Sequence, residues 1–232
     1  MALRKKIVQL AHMVGGLTGV INKIDENAPE YYSLECCVSD EQADVALVMG
    51  LRKPRTIEYI AKKANLSVEK AHKLAMELAQ IGVCKVYTDE KGKEVFMVQI
   101  YAPGILEMMV NNAESVKKHP QIGRAFEEYT RLRIAPIAPN LPMGTGMMRV
   151  IPIQSAIDGN MKAVPYEKLS YYLDKYDTFS LSDCSCRRSR RILNQGCGHL
   201  EKDMCIQMGT GAEYYIRIEF WGDEVERISS FN

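Results

Sequence analysis

Residues 40–100, DEQADVALVMGLRKPRTIEYIAKKANLSVEKAHKLAMELAQIGVCKVYTDEKGKEVFMVQI, alternate apolar runs with clear start and stop signals. Asp40 is placed to cap a helix through Ala43, Val45, Ala46 and Met49 that stops at Gly50. Thr56 opens a second, short helix with Ile57, Ile60 and Ala61 facing inward. Asn65-Leu66-Ser67 makes a turn, and Ser67 caps a third helix with Ala71, Leu74, Ala75 and Leu78 on one face. Gly82 ends it. Residues 83–87 and 95–100 then read as strands joined by the polar turn 88–94.

Three helices followed by a hairpin is the order of a winged helix, a variant of helix-turn-helix. Outward from it, residues 1–39 read as an N-terminal helical segment. An amphipathic helix carries Ile7, Leu10, Met13 and Leu17 at helical spacing, is broken at Gly15-Gly16, and leads into a polar connector from residue 25. Residues 101–163 read as a helical connector, with helices over 105–110 and 116–134. Pro136, Pro139 and Pro142 bar further helix there, and 148–153 is a short strand candidate. Residues 164–232 hold a helix over 166–176, a segment 178–182 that is either a strand or a helix cap, and then most of the cysteines. The tail 218–232 reads as strand, Gly222-Asp223 turn, strand. The expected fold class is α+β, mostly α: a winged-helix domain at 40–100 followed by a small helical cysteine-cluster domain at 164–232.

Bulk composition excludes more than it identifies. The 30 Lys and Arg against 29 Asp and Glu leave a net charge of +1, so binding to nucleic acid would need a local patch. No apolar run approaches a membrane span, and the first residues lack the pattern of a secretory leader, so a cytoplasmic protein is expected. Neither Gly144-Thr145-Gly146 nor Gly209-Thr210-Gly211 completes a dinucleotide fingerprint, since Arg149 and Tyr214 stand where its third glycine belongs. No phosphate-loop motif is present either, so a complete active site is not expected in this chain.

Seven cysteines, an odd number, do not suggest a disulfide framework in a reducing compartment. Four of them, Cys184, Cys186, Cys197 and Cys205, fall within 22 residues as C-x-C-x10-C-x7-C. Four thiolates suit a [2Fe–2S] or [4Fe–4S] cluster, and also Zn²⁺. Zinc sites usually present two C-x2-4-C knuckles; here there is one close pair, and the spacing favours an iron–sulfur cradle over zinc. Arg187, Arg188, Arg190 and Arg191 follow directly and would stabilise an anionic cluster, Arg187 most of all. A helix over 187–193 would also turn backbone N–H groups toward the sulfurs. His199 is a candidate for the surrounding shell rather than a ligand. Cys36, Cys37 and Cys84 read as ordinary small hydrophobes.

SLSDCSCRRSRRILNQGCGHLEKDMCIQMGTGAEYYIR, residues 180–217, resembles a family of bacterial iron–sulfur proteins with a C-x-C-R…G-x-G-C…C pattern behind a winged-helix-like region. The same arrangement is similar to the front part of FAD-dependent pyridine-nucleotide oxidoreductases of anaerobes. The resemblance extends through YAPGILEMMVNN (101–112), AFEEYTRLRIAP (125–136) and MRVIPIQSAIDG (148–159). It departs from the pattern at Asn194, where relatives often carry Gly, and over the tail 218–232. It implies that Cys184, Cys186, Cys197 and Cys205 hold a [4Fe–4S] cluster. It further implies one-electron transfer, with a flavoprotein oxidoreductase or a ferredoxin-like protein as redox partner.

A rival reading comes from the first domain. Between Arg52 and Lys73 there are seven Lys and Arg against two Glu, with His72 besides, and Lys91 and Lys93 lie in the expected wing. A winged-helix transcriptional regulator binding DNA, with an iron–sulfur or zinc sensor site, would use these residues.

Overall fold

The computed structural model of the chain describes residues 2–140, 169–218 and 227–228. Over these it is an α+β fold, mostly helical, with two small antiparallel sheets. The expected strand at 148–153 lies outside the described residues.

Helices α1 (Lys5–Gly15) and α2 (Leu17–Ile21) are separated by Gly16, whose φ of 55° suits a residue without Cβ. Ile7, Leu10, Ala11 and Val14 are fully buried, whereas Leu17, expected on the same apolar face, is 66% exposed because the break turns α2 off that face. The polar connector contains a helix, α3 (Pro29–Glu35), that burial pattern alone hides. Its inner face includes Glu30 and Ser33, both without solvent exposure. Glu30 accepts from Arg133 Nε at 3.1 Å, and Ser33 Oγ shares a hydrogen bond with the buried Tyr101 hydroxyl. Tyr101 also donates to the Pro29 carbonyl at 2.8 Å.

Helices α4 (Asp40–Met49), α5 (Ile57–Ala64) and α6 (Val68–Ile81) follow, then strands β1 (Cys84–Thr88) and β2 (Glu94–Val98). The cap of α4 is Ser39 rather than Asp40. Ser39 Oγ accepts from Gln42 N at 3.1 Å while Gln42 Oε1 accepts from Ser39 N at 2.8 Å, a reciprocal capping box. Ser67 Oγ accepts from Lys70 N at the start of α6. β1 and β2 pair antiparallel with Cys84 opposite Val98 and Thr88 opposite Glu94. The segment between α4 and α5 adds a rung the sequence did not suggest: Arg52 N and Arg55 N donate to Val98 O and Phe96 O, each at 2.9 Å.

The chain then turns through Tyr101–Ile105 into α7 (Leu106–Asn111), α8 (Ala113–Lys118) and α9 (Gln121–Tyr129). The continuous helix expected over 116–134 is broken at His119-Pro120, because Pro120 lacks the N–H that would continue α8. α9 runs on for one wide turn over Thr130–Ile134. After α10 (Leu169–Lys175) come β3 (Phe179–Ser182), α11 (Ser185–Ile192), β4 (Cys205–Met208), α12 (Thr210–Ile218) and β5 (Arg227–Ile228). β3 is central, with β4 on one side and β5 on the other, both antiparallel. Of the tail's expected hairpin, the second strand is β5; the first strand and the turn lie among undescribed residues, apart from Ile218, which ends α12.

One apolar core joins these elements, from Ile7 to Ile218. Gly82 shows how closely they approach. Its φ is +99°, and a Cβ there would lie 2.8 Å from Met109 N, so α6 can end against α7 only with glycine at this position. Gly123 of α9 gives similar room to Ile192 of α11. Tyr214 of α12 is fully buried and donates to Ala79 O of α6 at 2.7 Å.

Candidate functional site

The cysteine segment is a strand, a tight turn, a helix and a returning strand. β3 ends at Ser182, Asp183 makes the turn, and Cys184 is the N-cap residue of α11, with Cys186 in its first turn. The loop after α11 folds back so that Cys184 N donates to Glu201 O at 2.8 Å. β4 then places Cys205 opposite Ser182. Two neighbouring ends of one small sheet therefore carry Cys184 and Cys205, and the helix start between them carries Cys186.

These three thiols act on one another. Burial raises the Cys205 thiol to about 12, helped by the charge of Cys184 and a hydrogen bond with it, and by the charge of Cys186. Burial also raises Cys186, followed by the charges of Cys184 and of Glu107. The Ser185 backbone N–H, at the start of α11, bonds the Cys205 sulfur and works in the opposite direction by favouring thiolate. Cys197 is exposed on the loop between α11 and β4, outside these contacts. Among the described residues no group of three or more His, Cys, Asp or Glu side chains is placed to hold a metal ion. The chemistry of the donors nevertheless fits a soft metal group: three interacting thiols, a fourth on the adjoining loop, and a helix amide aimed at one sulfur.

The arginines divide by role. Arg188 is 4% exposed; it donates to Val110 O at 3.1 Å, to Asn111 O at 2.8 Å and to Asp183 Oδ2 at 2.5 Å. It thereby ties the turn before Cys184 to the end of α7. Arg191 makes a bidentate pair with Glu201, at 2.9 and 2.6 Å, and holds that carboxyl below the usual range. Arg190 pairs with Glu127 of α9 at 3.0 Å. Arg187 donates to the Leu200 carbonyl and, among the described residues, has no carboxylate partner in the ion pairs found. His199 is exposed on the same loop.

Beneath the thiols lies a layer that sequence reading did not single out. Asn111 Nδ2 donates to Tyr215 OH at 3.0 Å and to Ser182 Oγ at 3.3 Å, and Gln207 Nε2 donates to the same Ser182 Oγ at 2.8 Å. Asn111 Oδ1 is buried without a hydrogen-bond partner among the described residues. Glu107 of α7 accepts from Gly104 N at 2.6 Å, and burial raises its carboxyl. The only signal for these residues was their place in the stretches 101–112 and 180–217.

The chain matches no protein-family model, no curated protein and no solved structure. No described helix is long and apolar enough to cross a membrane.

Proposed function

We propose that the chain is an iron–sulfur electron-transfer module that exchanges single electrons with a flavin-dependent oxidoreductase or a ferredoxin-like partner in the cytoplasm. The observation that carries this reading is the placement of Cys184 and Cys186 at the start of α11 and of Cys205 opposite Ser182, where β3, α11 and β4 meet. Cys197, exposed on the loop between α11 and β4, would be the fourth ligand to a [4Fe–4S] cluster. When bound, such a group takes up and releases one electron at a time. The protein's own part is to hold the thiolates, to shield them with Tyr215 and the Asn111 layer, and to place positive charge nearby.

Residues 40–100 are read as a winged helix. The order of helix, extended rung, two helices and hairpin supports it, and the rung at Arg52 and Arg55 supplies the short third strand that closes such a sheet. In this reading the winged helix is a docking module.

Iron and acid-labile sulfide measured on anaerobically purified protein test the proposal, with zinc measured alongside. Cys205→Ser and Cys197→Ser are each expected to lose iron or hold it labile. Full retention of iron in both would sink the ligand assignment, and stoichiometric zinc without sulfide in anaerobic protein would replace the cluster with a zinc site. Arg187→Gln is expected to lower the potential by on the order of tens of millivolts, because a nearby positive charge favours the more anionic reduced state. Anaerobic potentiometry reads this shift. An unchanged or raised value with the cluster intact would show that Arg187 does not tune the site.

A second reading, a DNA-binding regulator, has one observation in its favour. Lys62, Lys63 and Lys73 are exposed on α5 and α6, and no ion pair occupies them among the described residues. Other basic residues of the stretch are engaged: Lys70 pairs with Glu41, His72 with Glu94, and Arg55 stacks 4.2 Å over Tyr59. A mobility shift on mixed duplex DNA decides, since phosphate contacts weaken steeply with salt. Salt-sensitive binding at micromolar protein would support the regulator.

A further inference from the structure

Two cysteines lie outside the cluster motif and beside each other. Cys36 and Cys37 follow the end of α3, both half-buried, with their sulfurs 3.5 Å apart. Cys36 Sγ donates to Ser33 O at 3.1 Å, which fixes its direction back along α3. Two other elements face the pair. Lys118, at the end of α8, acts on Cys37 by its charge, and Gln121, at the start of α9, hydrogen-bonds Cys36. Glu35 is the opposing charge beside Cys36.

This geometry narrows what the pair can do. A disulfide needs sulfurs about 2.05 Å apart and Cα atoms at least ~4.4 Å apart, whereas Cα atoms of adjacent residues lie about 3.8 Å apart. Cys36 moreover has helical angles, φ −75° and ψ −17°. Zinc asks for four protein ligands, and among the described residues no third His, Cys, Asp or Glu converges here. A single atom bonded to both sulfurs at about 2.3 Å, with a near-tetrahedral angle, holds them ~3.8 Å apart, and a more acute pyramidal angle brings them closer. That matches the observed 3.5 Å.

We propose that Cys36 and Cys37 form a two-thiolate site for a trivalent arsenic centre that carries its own third substituent. With a monosubstituted arsenous acid, two As–O bonds break and two As–S bonds form. Each thiol proton leaves with a hydroxide as water. Arsenic stays trivalent and neither sulfur is oxidised, so no oxidant or reductant is required. The hydrogen bond from Cys37 lowers the Cys36 thiol below its ordinary range, which makes Cys36 the first nucleophile. Cys37 is raised by that same bond and by burial, keeps its proton, and delivers it to the second leaving hydroxide. The site is independent of the cluster reading.

Phenylarsine oxide on the full-length chain tests the proposal. Trypsin releases residues 24–52, a peptide containing Cys36 and Cys37 and no other cysteine. That peptide is expected to carry one phenylarsenic group, removable by a dithiol. Because the second bond is intramolecular, Cys36→Ser and Cys37→Ser are each expected to bind about 100-fold more weakly. In the unsubstituted protein, pretreatment with the arsenical is expected to protect both thiols from iodoacetamide, a readout that needs no variant to fold. An unmodified 24–52 peptide, protection of only one thiol, or undiminished binding by either serine variant would overturn the proposal.

Discussion

Arg188 and Arg191 stand three residues apart on α11, yet their environments give them different weights. Arg188 is buried and bonds two carbonyls of α7 and the Asp183 carboxylate; Arg191 is 63% exposed beside Glu201. Removing one member of a buried pair strands the other, which typically costs ~3–5 kcal/mol, while an exposed pair contributes about 1 kcal/mol or less. Arg188→Met is therefore expected to lower stability by several kcal/mol and Arg191→Gln by less than about 1 kcal/mol, read from denaturant unfolding. Equal effects would mean that the ties to α7 contribute nothing. The sequence placed all four arginines next to Cys186 but could not sort them. Which one turns inward depends on Asp183 and on carbonyls of residues 110 and 111, more than 70 positions away.

Among the elements, α4 to α6 and the hairpin were legible because each has its own punctuation: Gly50, Ser67 and Gly82 sit at the stops and starts, and the apolar period is intact. α3 was not, because two of its inward residues, Glu30 and Ser33, are polar and find their partners in Arg133 and Tyr101. An apolar-period search is blind to such a face. β4 was also missed, since four residues flanked by loop and glycine offer too short a pattern. Of the four motif cysteines, the proximity of Cys184 and Cys186 follows from local chain geometry, whereas that of Cys205 needs the pairing of β3 with β4 and the position of Cys197 depends on a loop that the sequence leaves open. Glycines give a test at this scale. Gly92, in the turn between β1 and β2, has φ +73° with nothing near its missing Cβ, so Gly92→Ala is expected to cost only the ~1–2 kcal/mol of a left-handed residue. Gly82→Ala adds a backbone clash with Met108 and Met109 and is expected to cost clearly more. Similar midpoints in thermal unfolding for the two variants would show that α7 can retreat from α6.

At the scale of the molecule, the cysteine segment and the three-helix unit are joined through α12. Tyr214 inserts among the core residues and bonds Ala79 O, Glu213 Oε1 accepts from Thr88 N at 2.8 Å, and Arg217 reaches Glu94 at 3.0 Å. Three contacts from one helix thus tie it to α6 and to the hairpin. Truncating a buried aromatic typically costs ~3–5 kcal/mol. Tyr214→Ala is expected to lower stability by that amount and to raise amide exchange in both α6 and α12, since one core spans them. Exchange confined to residues 178–218 would show that the two parts unfold separately.

The position of α12 also sets a sequence of events during synthesis. Chains fold from the N-terminus as they emerge, and residues 210–218 are made after everything they cover. Until they arrive, the seat for Tyr214 beside Ala79 stays open and apolar, while all four cysteines of the motif have already been added. The thiols therefore exist before α12 has packed onto β3 and β4, and their scaffold is complete only once that helix arrives.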